Sequence, residues 1–152
     1  MTNVLFEEWL ERTLKTYPEH SSRFFFGEKD RFRNPIGHTL REGLAILLEE
    51  LLGAMDSGRL QPALEEIVRM RAVQNFTPSE AVGFLFLLKE VARERMTGAE
   101  LVELESRVDR ATLLAFDLFM RCREKIYEIQ AEEAKRRVFV LERAQGRRGA
   151  SS

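Results

Sequence analysis

The amino-acid sequence predicts an all-α fold, a bundle of about five to six helices that ends in a long C-terminal helix. Three observations lead to this class. Apolar residues recur every three or four positions along almost the whole chain, and no segment alternates as a strand does. Helix-start signals of the Asn-Pro and Thr-Pro-x-Glu kind precede apolar stretches. Residues 99–145 contain neither Gly nor Pro, so nothing in them is expected to break a helix.

The first predicted helix stops before Pro18, and its apolar face is formed by residues three or four apart. These residues are Phe6, Trp9, Leu10, Thr13, Leu14 and Tyr17. A polar and aromatic loop is expected over residues 19–33. Asn34 and Pro35 then start the second helix, because Asn is a preferred N-cap and Pro a preferred first residue. We expect this helix to end at Gly58, which suits a left-handed C-terminal cap.

The middle of the chain predicts two more helices. The third covers about residues 61–75, with Pro62 in its first turn, where a missing N–H costs nothing. Thr77 caps the fourth helix, and Glu80 completes a capping box with it. The segment that follows is apolar on most sides before Lys89, which predicts a buried central helix.

The C-terminal region is too long to stay within the body of the protein. As one helix, residues 99–145 would extend about 70 Å, whereas a small domain is about 30 Å across. The region therefore bends near residues 107–110, projects from the body, or does both. Its apolar stripe changes phase near Tyr127, as a stutter does in a heptad pattern. The second stripe consists of Tyr127, Ala131, Ala134, Val138 and Leu141.

Charged residues border this second stripe, which is typical of a coiled-coil arm. The predicted organisation is a helical domain over residues 1–125 (the body), a projecting helix over 126–145 (the arm) and a disordered tail over 146–152. The arm either pairs with a second copy of the chain, which predicts a homodimer, or folds back against the body.

The composition limits the function classes. The formal net charge is −1, which gives no overall attraction to nucleic acid or to a membrane surface. The single cysteine excludes an intrachain disulfide and suits a reducing compartment. No apolar run approaches the roughly 20 residues that a membrane helix needs, and the N-terminus lacks a signal-peptide pattern. We expect a cytoplasmic protein without nucleic-acid partners or membrane insertion.

The sequence offers no catalytic or metal-binding motif. It contains no P-loop, no Rossmann fingerprint and no nucleophile elbow. Its two histidines, His20 and His38, are isolated from each other and fall in the first 40 residues. This position argues against a haem ligand, and their spacing argues against a metal pair. We expect no enzymatic activity, no metal and no cofactor.

A first candidate for ligand binding lies before the second helix. Arg31 and Arg33 flank Phe32, so in an extended segment both would point away from its ring. Next to a helix N-terminus they would hold an anion, helped by the helix dipole. The alternative, which we favour, is a solvated loop with a salt bridge to Asp30.

Two further positions have two interpretations each. Arg71 and Gln74 crowd the end of the third helix, where they form either a polar pocket or a helix–helix corner in which side chains satisfy free carbonyls. We favour the corner. Cys122 lies between two arginines, as in a redox sensor, but it continues the apolar stripe of the long helix. We favour a buried, inert thiol.

Four segments resemble one known family: WLERTLKTYP, RFRNPIGHTLREGL, IVRMRAVQNFTPSEAVGFLFLLKEV and DRATLLAFDLFMRCREKIYEI. They resemble the N-terminal sensor domain of the RsbR/RsbRD type, the RsbT co-antagonist family of the bacterial stressosome, over roughly residues 5–130. The motifs RAVQ-x-x-x-PSEA and AFDLFMRCREKIY are the most specific. The resemblance implies a non-haem, globin-like helical bundle that dimerises. In full-length members a terminal helix leads into a STAS domain with phosphorylated residues, and no such strand-rich segment is expected to follow here.

The leading hypothesis is a non-catalytic, dimeric sensory or regulatory domain that passes a ligand or partner signal through residues 126–145 in bacterial stress or redox signalling. Its signalling protein partner is unknown. The first alternative is a protein that binds a lipid or cofactor in a pocket between residues 24–26 and residues 84–86, although the eleven phenylalanines would equally fill the core. The second is an adaptor subunit of a redox complex that docks through the basic C-terminal end.

Overall fold

The computed structural model describes residues 1–150. Within these residues the chain forms seven α-helices and no strand, which confirms the all-α class and the long C-terminal helix. The helices are α1 (Thr2–Leu14), α2 (Glu19–Gly27), α3 (Pro35–Leu52), α4 (Ser57–Val73), α5 (Pro78–Val82), α6 (Phe84–Arg95) and α7 (Gly98–Ala150).

One apolar core holds the body together. Helices α3 and α4 pack on each other, α6 packs on α1, and α7 packs on α4, α5 and α6. Trp9 lies at the centre, fully buried and stacked against Phe84 with ring centroids 6.3 Å apart. Its indole N–H donates a 2.7 Å hydrogen bond to the Phe84 carbonyl. The only tryptophan therefore packs without leaving a buried polar atom unpaired.

The structure corrects the loop predicted over residues 19–33, because residues 19–27 form α2. Pro18 takes the extended backbone of an N-cap position, and Glu19 places a negative charge in the first turn. Three consecutive phenylalanines hide any helical period in this segment. No residue of α2 is buried, so the helix lies on the surface of the body.

The boundary between α3 and α4 also differs from the prediction. The left-handed residue after α3 is Met55, with φ of 54°, and Gly58 lies in the first turn of α4. The carboxylate of Asp56 accepts a 2.9 Å hydrogen bond from the Gly58 N–H and so caps α4. Because Asp is a preferred N-cap, α4 starts about four residues earlier than predicted. Pro62 consequently lies inside the helix, beyond its first turn.

The predicted capping box is confirmed. The Thr77 hydroxyl accepts from the Glu80 N–H, and the Glu80 carboxylate accepts from the Thr77 N–H. The helix that follows is divided at Gly83 into α5 and α6. α6 is not buried on all sides, since Phe86 is exposed. Thus α6 covers the core with one face and is not a central helix.

α7 is one continuous helix of 53 residues, about 80 Å long at 1.5 Å per residue. No bend divides it at residues 107–110. Its first half packs on the body, and every residue from 127 to 149 is exposed. Residues 146–150 of the predicted disordered tail continue the helix, because the i→i−4 hydrogen bonds simply extend from the arm. Residues 151–152 lie outside the described part of the chain.

Candidate functional site

Asn34 ties two helices together. Its side-chain oxygen accepts a 2.9 Å hydrogen bond from the Gly37 N–H, which confirms the predicted cap of α3. Its amide nitrogen donates to the carbonyls of Phe25 and Glu28 at 2.8 and 2.9 Å. A Cβ atom on Gly37 would lie 2.5 Å from the Phe25 carbonyl oxygen, so this glycine permits the close approach. One buried side chain therefore satisfies free groups of both α2 and α3.

Arg31 and Arg33 lie in a turn and not in the extended segment predicted for them. The Asp30 carboxylate accepts from the Phe32 N–H, and the Asp30 carbonyl accepts from the Arg33 N–H. Arg31 stacks over the exposed Phe32 ring at 5.2 Å. Both arginines are exposed and share no contact with the second predicted cluster. An anion site here stays a prediction.

Arg71 is fully buried and is surrounded by aromatic rings. Its guanidinium lies 4.8 Å from the Phe76 centroid, 5.2 Å from Phe84 and 5.5 Å from Tyr17. One nitrogen donates to the Glu80 carbonyl at 2.9 Å, while its Nε has no partner among the described residues. Burial lowers the pKa of this guanidinium. Cation–π contacts therefore take the place of a carboxylate.

The structure brings Arg71 and Gln74 into one cluster. The Tyr17 hydroxyl donates a 3.1 Å hydrogen bond to the Gln74 side-chain oxygen, and Arg71 lies over the Tyr17 ring. Burial raises the pKa of Tyr17. Because side chains enclose the guanidinium, the geometry favours the corner interpretation, in which Arg71 joins the end of α4 to α5. A ligand-binding role for Arg71 and Gln74 stays a prediction.

Arg123 of α7 contacts the outer side of the same corner, which we define as residues 74–77 between α4 and α5. It donates to the Ala72 carbonyl at 3.0 Å and to the Asn75 side-chain oxygen at 3.4 Å. It also donates to the Tyr127 hydroxyl at 2.7 Å and stacks over that ring. This arginine was not predicted to be a functional residue. The spacing of four residues between Arg123 and Tyr127 on a predicted helix was the available signal.

Exposed apolar residues follow one face of α7 and form what we call the seam. The seam consists of Leu113, Phe116, Met120, Tyr127, Ala131, Ala134, Val138 and Leu141. It starts on the body, where Leu113 is 70% exposed, and ends on the arm, where Leu141 is 62% exposed. It is about 42 Å long at 1.5 Å per residue. The five residues predicted for dimerisation are its second part.

The change of phase near Tyr127 results from two stripes on different faces of a continuous helix. The core stripe of α7 includes Leu104, Val108 and Leu118, which are buried. At 100° per residue, the seam lies roughly 120–150° around the helix from it. The two stripes overlap in sequence, so the apolar pattern moves from one face to the other although the helix does not bend.

The predicted pocket between residues 24–26 and residues 84–86 does not match the positions of these rings. Phe84 is buried in the core, with Trp9 stacked on it and the Arg71 guanidinium beside it. Phe25 and Phe26 line a different cavity of about 450 Å³, which lies against α3. Phe25 also packs edge-on against Tyr17, with ring centroids 5.2 Å apart, so the two segments meet at the Arg71 cluster and not in this cavity.

Two further observations limit the chemistry of the described residues. Among residues 1–150, no three His, Cys, Asp or Glu side chains are grouped so that they could hold a metal ion. Cys122 is half-buried, and burial raises the pKa of its thiol. A raised thiol pKa opposes the thiolate that a reactive cysteine needs.

In the described part of the chain, every helix is either too short or too polar to span a lipid bilayer.

The fold defines an all-helical domain whose last helix extends beyond its body. The family model described as the RsbT co-antagonist protein rsbRD N-terminal domain matches residues 3–134. The chain therefore belongs to this family, whose members are sensor domains in stress signalling. Searches among curated proteins and among solved structures found no match.

Proposed function

We propose that this chain is a non-catalytic sensory domain that works in the cytoplasm as a homodimer and passes a ligand or partner signal along α7 to a signalling protein. The observation that carries the proposal is the seam, which extends from the body onto the arm with one gap between Met120 and Tyr127, where Arg123 and Glu124 take its place. The family supports the regulatory role, and the seam supplies a physical route for it.

Pairing of two seams would remove a large exposed apolar surface from water. Contiguous apolar patches of this kind mark interaction surfaces on soluble domains. Each Leu or Val that becomes fully buried contributes about 1.5–3 kcal/mol. The spacing of three and four residues is the one with which helices interlock in a coiled coil. A second copy of α7 is therefore a suitable partner for the seam.

The charges beside the arm favour a parallel pair. With Ala131 and Val138 as a positions of a heptad, Arg137 is a g position and Glu142 the next e position. In a parallel, in-register pair, Arg137 faces Glu142 of the second copy, an attractive contact made twice.

The antiparallel alternative brings like charges together. If the same core positions overlap fully, Lys135 faces Lys135 of the second copy, and Arg137 faces Arg137. Glu128 faces Glu142 of the second copy. Like charges directly opposite each other are destabilising. The charge pattern thus selects one orientation, in which both arms lead away from the bodies in the same direction.

Arg123 would connect the body with the paired arms. Its hydrogen bonds to Ala72, next to the buried Arg71, and to Tyr127 join the end of α4 to the first exposed turn of the arm. A displacement of the corner would change the position of Arg123 and, with it, the register of the seam. Small shifts of this kind between packed helices are a known form of switching.

Size-exclusion chromatography with light scattering tests the proposal. We expect a dimer for the parent chain and a monomer for Val138→Asp. The matched control is Val140→Asp, because Val138 and Val140 are 54% and 63% exposed but lie on different faces of the arm. The control should stay dimeric. A monomeric parent chain at micromolar concentration, or equal effects of the two substitutions, would contradict the proposal.

A further inference from the structure

A groove lies between α4 and α7 at the root of the arm, with a volume of about 430 Å³. Its floor is apolar and is formed by Val73, Leu118, Cys122, Ile126 and Ile129. Val73 is 68% and Ile129 51% exposed, so the floor is open to water. On α7 these residues lie roughly 145° around the helix from the seam. The groove therefore stays accessible when two seams pair.

The rim of the groove carries cations without partners. Arg69, Arg121 and Lys125 line it, and none of them forms an ion pair within residues 1–150. Glu65 is the one carboxylate of the lining. Three cations against one anion leave an excess of positive charge around an apolar floor.

This arrangement differs from that of four arginines elsewhere on the body. Arg12, Arg59, Arg93 and Arg95 each pair with a carboxylate of another helix. These four cations are thus neutralised by carboxylates of neighbouring helices. The cations at the groove are left free for an anion that does not belong to the described residues.

We propose that the groove binds an anionic amphiphile, a molecule with an acidic headgroup and an unbranched apolar tail, of the fatty-acid class. The tail would lie along Val73 and Ile126, and the headgroup would meet Arg121 and Lys125. The volume falls within the about 300–1,000 Å³ of small-molecule sites. Charge complementarity supplies orientation, and apolar burial supplies affinity.

The inference rests on the proposed function, because it names the chemistry of the signal. An occupant would contact α4 and α7 at once, next to the turn in which Arg123 meets the corner. It would hold the root of the arm against α4 and favour one position of α7 over others. A ligand shifts such an equilibrium by its difference in affinity for the two positions.

The test uses dodecanoate below its micelle concentration as the probe, with isothermal titration calorimetry and native mass spectrometry of the full chain. We expect one dodecanoate per chain. The double variant Arg121→Glu/Lys125→Glu should bind at least tenfold more weakly. The control Arg136→Glu/Arg147→Glu makes the same charge change on the arm and should bind within twofold of the parent. Dodecanol, which lacks the charge, should bind at least tenfold more weakly than dodecanoate.

Cys122 provides an independent readout, because it is the only cysteine of the chain and lies in the groove. Dodecanoate should slow its modification by N-ethylmaleimide severalfold, and dodecyltrimethylammonium should not. Equal binding of dodecanoate to the parent and to the charge-reversed variant would overturn the inference. The inference would also be overturned if dodecanol bound as tightly as dodecanoate. It would equally be overturned if dodecanoate left the rate of Cys122 modification unchanged.

Failure of the inference is distinguishable from failure of the proposed function. Val138→Asp removes the seam contact and leaves the groove unchanged, so this variant should still bind dodecanoate. A dimer that binds no dodecanoate would contradict only the proposed ligand binding in the groove. A monomeric parent chain that binds dodecanoate would contradict only the proposed dimer.

Discussion

The two halves of α7 have the same secondary structure for different reasons. In the half that packs on the body, Val108 and Phe119 are buried, and Lys89 and Arg93 of α6 pair with Asp109 and Glu105. In the half formed by residues 127–149, every residue is exposed. Isolated helices are marginal in water, and most helical stability comes from tertiary packing. The first half is therefore stabilised by its own chain, and in the proposed dimer a second copy stabilises the second half.

The largest expected effect comes from substituting one phenylalanine in each half of α7. Phe119 is buried and Phe139 is exposed. Phe119→Ala should lower the free energy of unfolding by about 3–5 kcal/mol, because it leaves a cavity in the core. Phe139→Ala should change it by less than about 0.5 kcal/mol. Urea denaturation measures both, and similar losses would show that the arm packs as the body does.

A helix break in the arm should affect assembly and not the body. Proline in a helix interior costs about 3 kcal/mol or more, so Ala131→Pro should abolish the dimer in light scattering and lower the helical signal in circular dichroism. The unfolding midpoint of the diluted, monomeric body should stay within about 2 °C of the parent, since about 1 kcal/mol shifts it by 2–4 °C or more. Survival of the dimer would mean that the arm plays no part in pairing.

A smaller effect is expected at the junction of α2 and α3. Asn34→Ala removes the cap of α3, worth about 1 kcal/mol, and two hydrogen bonds to the end of α2, worth about 0.5–1 kcal/mol each, so it should cost about 2–3 kcal/mol. Hydrogen exchange should then increase in residues 19–28 before any change in α7. Asn34→Asp keeps the oxygen that caps α3 but loses the N–H groups that bond to α2. Hydrogen exchange should therefore stay slow at the start of α3 and still increase in α2. Unchanged exchange in α2 would contradict the role of the amide.

The smallest effect concerns the ion pairs that join helices of the body. Hydrogen bonds from Arg95 and Arg93 lower the pKa of Glu8 and Glu105, respectively. A carboxyl with a lowered pKa contributes stability above its unfolded pKa and loses it as the pH falls through the folded pKa. The free energy of unfolding should thus decrease from about pH 5 to pH 3. Glu8→Gln/Glu105→Gln should flatten this decrease, and an unchanged slope would exclude these pairs as its source.

The sequence was sufficient at two helix starts that a local signal determines. The caps at Asn34 and Thr77 depend on a few neighbouring residues, and both lie where they were predicted. The meeting of Arg71 and Gln74 follows from their spacing of three on one helix. The rings around Arg71 could not be predicted, because Tyr17 and Phe84 come from distant segments.

Other features depended on tertiary contacts. α2 was missed because its apolar residues are consecutive and because Asn34 holds it from outside the helix. The seam was predicted only from Tyr127 onward, although it begins at Leu113. Periodicity finds an apolar stripe but does not tell which of two overlapping stripes faces the body. The groove likewise required knowing which faces of α4 and α7 meet.

Disulfide cross-linking tests the central claim, parallel pairing of two seams, most directly. In a Cys122→Ser background, Ala134→Cys places one thiol in the seam, where a parallel in-register pair brings two identical positions close enough for a disulfide. We predict a covalent dimer on mild oxidation, and none with Val140→Cys on the other face. Equal cross-linking at both positions, or cross-linking only at Val140, would contradict the account.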